Sequence, residues 1–461
     1  MEPNIASTSP AADRNARLAK LCRTLMGGTA AMRAAGAAYL PPFTAEPRDS
    51  HDARIARSIL FNAYRKTVAD MTGRVFNKPL VLGDDVPKEL REFAEDIDLT
   101  GRHLNQFAHA AFYDAIQPGI GFILVDMPIM PPEMVGRKIT KAEQKASGRR
   151  PYFVYLTVEQ VIGWKSETIN GAETLTQVRI LENVTEPDGE WHEKQIEQVR
   201  VLEPTTWAVH RKNDRGQWIE HDRGINTLGK ITLVPIYLNR TGFMTGSPPL
   251  ADLADLNVAH WRSSSDQANI LHVARVPILF GTGFEEQDVI QVGASSMIHT
   301  TNLAATLKYV EHTGAAIGAG REELKDLEFQ MQAMGLQLLV PQPGGQTATG
   351  EIRDDVKERS QLAMMATALG DAIEQALGYA AEFMGLGEDT GGSVVVNSDF
   401  GVTPAGDFPM LLNAVNAGQI SRQTFWSEMK RRGALADDFD PEVEADRVEA
   451  EETRRGMDLD G

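Results

Sequence analysis

Three pieces of one stretch decide the fold: SPPLADLADLNVAHWRSSSDQANILH (247–272), GAAIGAGREELKDLEFQMQAMGL (314–336) and VPQPGGQTATG (340–350). The first reads as a helix over Pro249–His272 and the second as a helix over Ala315–Leu336. Between them, Arg275–His312 is a strand-rich excursion. After the Pro/Gly loop, a third and longer helix is expected over Glu351–Phe383, with Leu362, Met365, Leu369, Ile373, Leu377 and Ala380 on one side. Its first turns, Glu351 to Arg359, are densely charged. Thr349 is placed to cap it, with Glu351 where the helix dipole favours an acid.

In the second helix, Leu324, Leu327, Met331 and Met334 step by three and four, a narrow and nearly heptad stripe. Such a stripe is either a core face or a surface packed on a neighbouring subunit.

Outward from this centre, the N-terminal half alternates between helix and strand. Leu60, Tyr64, Val68, Met71 and Val75 predict a helix over Asp52–Val75, and Leu104, Phe107, Ala108, Ala111, Phe112 and Ala115 predict another over Asp98–Gln117, with Thr100 as its cap. Gly121–Val125 is a buried strand. From Pro151 to Asn239 the period becomes two. Strands are expected at Phe153–Leu156, Thr176–Leu181, Ile196–Leu202, Thr206–His210 and Leu233–Leu238, separated by turn-prone Asn-Gly and Asp-Gly pieces, as in an antiparallel meander. After Gly391, a short strand at Val394–Val396 precedes short helices over Asp407–Asn416 and Ser421–Arg432. Residues 1–35 are expected to be a flexible segment, and Met1–Arg14 disordered.

The 461 residues suggest about three domains by length, and 42% hydrophobic residues allow a sizeable core. The formal net charge is −18, and residues 437–461 alone hold 11 acids and three arginines. So acidic a chain is not built to grip phosphate tightly, because non-specific nucleic-acid affinity comes from Lys and Arg. With Cys22 as the lone cysteine, no intrachain disulfide forms. The first residues lack the apolar core of a secretory signal, and no run of about 18 apolar residues occurs, so no membrane association is expected.

Motifs of chemistry fail on inspection. Gly224–Lys230 matches the first seven positions of a phosphate-binding loop, but Ile231 stands where a Mg²⁺-binding hydroxyl is required, and no helix is expected to follow. Gly281-Thr-Gly283 lacks the third glycine of a dinucleotide loop. The histidines are scattered, none three or four residues from another. Asp126, at a strand end, is the best single carboxylate candidate, and a turn-forming role competes for it. No cofactor, metal or enzymatic activity is expected.

Several phrases, in order, resemble a portal-like family of tailed phages and prophages: Tyr39–Pro42, Gly73–Phe76, Ile97–Gly101, Gly119–Asp126, Pro248–Ala254, Val276–Leu279 and Thr347–Thr349. A departure falls at Ser295–Ile298, where many members of that family carry a Trp. The resemblance implies an α+β portal-protein fold. Its parts would be an α/β wing (36–245), a first stem helix (246–274), a small α/β clip (275–313), a second stem helix (314–336), a tunnel loop (337–350), a long inner wing helix (351–390) and a helical crown with an acidic tail (391–461). It implies a closed ring, dodecameric in virions, at one capsid vertex, through which double-stranded DNA is packaged and ejected. The expected partners are other copies of the chain, the terminase large subunit, head-completion or adaptor proteins, and the major capsid or scaffolding protein. It assigns Gln342, Gly344, Gly345, Gln346 and Thr347 to the DNA-facing tunnel loop. It assigns Leu253, Trp261, Leu324, Leu327, Met331 and Met334 to subunit packing along the stem. The competing expectations are a metal-dependent hydrolase using scattered carboxylates, or another capsid or tail adaptor.

Overall fold

The computed structural model describes residues 4–128, 149–274, 278–283, 302, 304–310, 315–337, 361–388, 390–398, 408–431, 435, 439–440, 442–445 and 447. The chain divides into two compact units, Met1–Ser398 and Asp399–Gly461. Helix and sheet are mixed, as an α+β fold requires.

The first unit opens with α1 (Pro10–Met26), where flexibility was expected. Ser9 caps it through Ala12 N, and Pro10 begins it. Its inward face is Ala12, Asn15, Ala19, Cys22 and Leu25. Four of these five residues are small or polar, which is why the periodicity does not stand out in the sequence. Arg23 on the same helix is ion-paired to Asp114 and to Glu159 (3.1 Å), and Asp114 also accepts from Tyr155 Oη (2.7 Å). Residues 10–35 are therefore structured, and the expectation of a flexible N-terminal segment is corrected there.

Next come α2 (Gly28–Ala35), α3 (Arg48–Arg57) and α4 (Ala63–Val75). The single helix expected over 52–75 is two. Ser58 is extended, and Asn62 restarts the helix by accepting from Arg65 N (2.9 Å) while its amide donates to Leu25 O (2.6 Å). β1 (Val81–Leu82), α5 (Lys88–Ala94) and α6 (Leu104–Ala115) follow. α6 starts later than expected because Asp98 accepts from Thr100 N (3.0 Å) in a local turn instead of Thr100 capping the helix.

β2 (Ile120–Asp126) and β3 (Tyr152–Leu156) lead into β4 (Val161–Ile169), β5 (Ala172–Pro187), β6 (Glu193–Leu202), β7 (Thr206–Lys212), β8 (Trp218–Ile225) and β9 (Leu233–Tyr237). Two antiparallel sheets result, one ordered β3-β2-β9 and the other β4-β5-β6-β7-β8. The meander is β4 to β8: three of the five strands expected in it (β5, β6 and β7) are there with β4 and β8 added, while the strands expected at Phe153–Leu156 and Leu233–Leu238 pair instead on either side of β2, a correction to the single sheet expected. Gly119 enters β2 at φ +79°, and a Cβ there would lie 1.9 Å from Ser247 O, so no other residue fits.

A small ribbon, β10 (Arg240–Gly242) with β11 (Thr245–Gly246), precedes the long helix α7 (Ala251–Ala274). The order continues through β12 (Ile278–Thr282), β13 (Thr306–Val310), α8 (Ala315–Gln337) and α9 (Gln361–Phe383), and β14 (Val394–Val395) then pairs back on β1. Helix α9 packs against β9 and β2, and its six expected inward residues are all buried. Each large one contributes about 1.5–3 kcal/mol of gross burial energy. One core cluster joins Phe122 and Leu124 of β2 to Leu156, Val178, Ile180 and Leu233 of the two sheets.

The second unit holds α10 (Phe408–Asn416) and α11 (Arg422–Arg431). Ser421 caps α11 through Thr424 N (3.0 Å), as expected.

Candidate functional site

The segment that decides the fold is a pair of long helices joined through a ribbon. α7 has 24 residues and α8 has 23, each about 35 Å long. Cross-links fix their direction. Gln267 Nε2 donates to Ile317 O (2.9 Å), Ser263 Oγ to Glu323 (3.2 Å), and His260 Nε2 lies 3.3 Å from Glu328. As the number falls on α7 it rises on α8, so the helices are antiparallel. Gly320 admits this approach, since a Cβ there would meet Gln267 Oε1 at 2.3 Å. The helices join at the ribbon, in which β12 pairs with β13 from Ile278↔Val310 to Thr282↔Thr306.

The root of α7 is anchored in the body. Leu253, Ala254, Asn257, Val258, His260 and Trp261 are buried. Asn257 accepts from Tyr64 N (2.9 Å) and donates to Phe61 O (2.7 Å), gripping the backbone where α4 begins. About two and a half turns further along α7, Asp266 meets Arg54 (3.5 Å), which is buried, pairs with Glu46 (2.8 Å) and stacks on Phe43. The hydrogen bond from Arg54 holds the Glu46 carboxyl below the usual range. Burial, with Glu323 and Glu46 nearby, pushes Asp266 up. Beyond Gln267, none of the described side chains of α7 is buried.

This geometry sorts the residues expected at the stem. Leu253, Trp261 and Met331 are buried by the chain's own elements, so they form its core and are withdrawn as subunit contacts. Leu324, Leu327 and Met334 are half-buried on α8. A hydrophobic stripe reports that a face is covered but not what covers it. Asn257 and Arg54, the polar anchors, went unnoticed because a single Asn or Arg in a helix carries no periodic signal. The tunnel-loop residues Gln342, Gly344, Gly345, Gln346 and Thr347, the charged turns Glu351–Arg359 and the Ser295–Ile298 departure lie outside the described residues.

The motifs set aside in the sequence have structural explanations. Gly224 pairs with Trp207 across β7 and β8, and a Cβ there would meet the indole at 2.6 Å. The glycine makes room for a ring. Lys230 pairs with Glu382 of α9 (2.9 Å), which raises its pKa, and a strand, not a helix, follows. Asp126 is bound to Arg200 (2.5 Å) and Tyr152 Oη (3.1 Å), and Arg200 also pairs with Glu182 (2.6 Å). Burial alone lowers the Arg200 pKa. The two carboxylates outweigh it, and the net shift is upward. Asp126 thus ties β2 to β5 and β6. Beside this cluster, a cleft of about 580 Å³ opens between the two sheets and the end of α9, with Leu124, Leu202, Trp207, Val209 and Phe383 among its walls. Among the described residues, no three His, Cys, Asp or Glu side chains gather as metal ligands, and no helix is long and apolar enough to cross a membrane.

Residues 249–384, which hold the helix–ribbon–helix and α9, match the model of a family described as a domain of unknown function, DUF4055. No curated protein matches the chain. Among solved structures, a chain in the neck of a native gene transfer agent particle, computed with C12 symmetry, is similar at 10% identity and TM-score 0.41, over 79% of this chain and 88% of that one. A chain from the native virion of a gene transfer agent has 12% identity and TM-score 0.39, over 88% and 98%. One from the neck of an empty particle, computed with C6 symmetry, has 12% identity and TM-score 0.41, over 89% and 99%.

Proposed function

We propose that this chain is the portal subunit of a tailed-phage-like particle, a structural protein without catalysis. In this reading copies close into a ring, as a dodecamer in the virion, at one capsid vertex. Double-stranded DNA passes through the ring, and the terminase large subunit, adaptor proteins and capsid or scaffolding protein dock on it. The carrying observation is the antiparallel pair α7–α8, closed by a ribbon, rooted in the body by Asn257 and Arg54, and followed by α9. That is the order of parts the portal resemblance implies. Asp126 was the best carboxylate for a hydrolase, and its engagement with Arg200 and Tyr152 supports a structural role for it.

Negative-stain electron microscopy of the purified full chain tests the proposal. Rings with a central hole wide enough for duplex DNA are expected, and a monodisperse monomer across concentration and salt overturns it. Deleting Gln342–Gln346 is expected to leave rings intact while DNA packaging falls. Unchanged packaging removes the tunnel assignment.

A further inference from the structure

The second sheet carries an arm. β4 pairs with β5 only as far as Ile180, and β7 pairs with β6 only from Gln198 to Leu202. Past those points, Asn183–Pro187 and Glu193–Glu197 of β5 and β6 pair only with each other. The arm ends in a loop containing Trp191, which is 85% exposed. Pro187, Asp188, Gly189, Glu190, His192 and Glu193 around it are exposed too. A tryptophan at the tip of a paired ribbon is presented with little conformational entropy left to lose, and tryptophan is the residue type most enriched at the energetic centres of interfaces. Its surroundings are acidic: Asp188, Glu190 and Glu193.

The cleft between the sheets is its complement. The walls named above are apolar, the volume of about 580 Å³ exceeds that of an indole, and Arg149 and Arg223 stand among the lining residues. At 85% exposure, the Trp191 ring is not seated in a cleft of its own chain's described residues. Gln198, in the cleft lining, is separated from Glu193 at the arm's end by five steps of β6, roughly 17 Å, with Trp191 farther still.

We infer that Trp191 of one copy seats in the cleft bounded by Trp207, Val209 and Arg223 of the next. The knob and the cleft are different surfaces of one chain, so the contact is heterologous, and such contacts generate rings when the rotation closes. The inference rests on the ring reading and deepens it by naming a subunit contact outside the stem.

Two single-cysteine substitutions, Trp191→Cys and Thr227→Cys, test it in the full chain, with the buried Cys22 left in place. Thr227 is exposed and lines the cleft. The variants are mixed, assembled and treated with a short bis-maleimide. A crosslinked dimer that forms in the mixture, and in neither variant alone, is expected. Mass photometry of Trp191→Ala and of Thr227→Trp, the second filling the cleft, is expected to show dissociation at about tenfold higher protein concentration. Rings that form normally, with no mixed crosslink and no change in either variant, overturn this contact and leave the ring reading standing. A wild-type chain that is monomeric throughout overturns both.

Discussion

β2 and the outer half of β5 are both antiparallel strands, yet they live in different surroundings. β2 is paired on both edges, and six of its seven residues are buried. Outer β5 is paired on one edge, and its residues alternate between exposed and half-buried. Their sequences match: Ile-Gly-Phe-Ile-Leu-Val in β2 is a continuous apolar run, while Glu-Asn-Val-Thr-Glu holds a single apolar residue. α7 repeats the contrast along one helix, buried at its root and open past Gln267. Each region has an end that supplies stability and an end that offers surface.

That division can be broken by substitution. Phe122→Ala in β2 removes a fully buried ring and is expected to lower unfolding free energy by about 3–5 kcal/mol, read by urea denaturation. Arg54→Met at the root of α7 leaves Glu46 without its main partner and is expected to cost about 2–3 kcal/mol at neutral pH. The folded Glu46 pKa is depressed, so the contribution is present above the unfolded carboxylate value of about 4.3 and is lost as pH falls through the lower folded value. Melting curves of wild type and Arg54→Met should therefore converge as the pH falls below the unfolded carboxylate value, and a constant gap would remove the ion pair as the cause. Arg179 donates to the carbonyls of Ile5 (2.8 Å) and Ser7 (2.7 Å), tying the N-terminal residues to the meander. Arg179→Ala is expected to cost about 1 kcal/mol and to speed proteolysis before Ser9. Trp191→Ala at the arm's tip is expected to change stability by less than about 0.5 kcal/mol, since the ring leaves nothing unfilled. A larger loss would mean the arm is part of the core.

The sequence was most readable where burial and periodicity coincide. α9, β2, the apolar stripe of α8 and the three inner strands of the meander follow from spacing alone. β4 and β8 were hidden because Lys165-Ser-Glu167 and Glu220-His-Asp-Arg223 carry polar residues on both faces of a strand at the sheet's rim. The break between α3 and α4 was hidden because Leu60 keeps the apolar row going while Ser58 turns the backbone away. In the site, the paired helices were legible and the anchoring residues were not, because hydrogen bonds between distant segments leave no local pattern. Leu253 and Trp261 show the converse, since a correct apolar face was assigned to the wrong partner.

Asn257 has a mechanical consequence. A helix seated only by Leu and Val slides by a turn at modest cost, because one aliphatic contact replaces another. Asn257 accepts from one backbone group and donates to another at a fixed height on α7, so a slip along the axis would strand a buried amide and two backbone groups at once. Load applied along the exposed end of α7 is therefore met by directional bonds at its root, which key the shaft against axial slip.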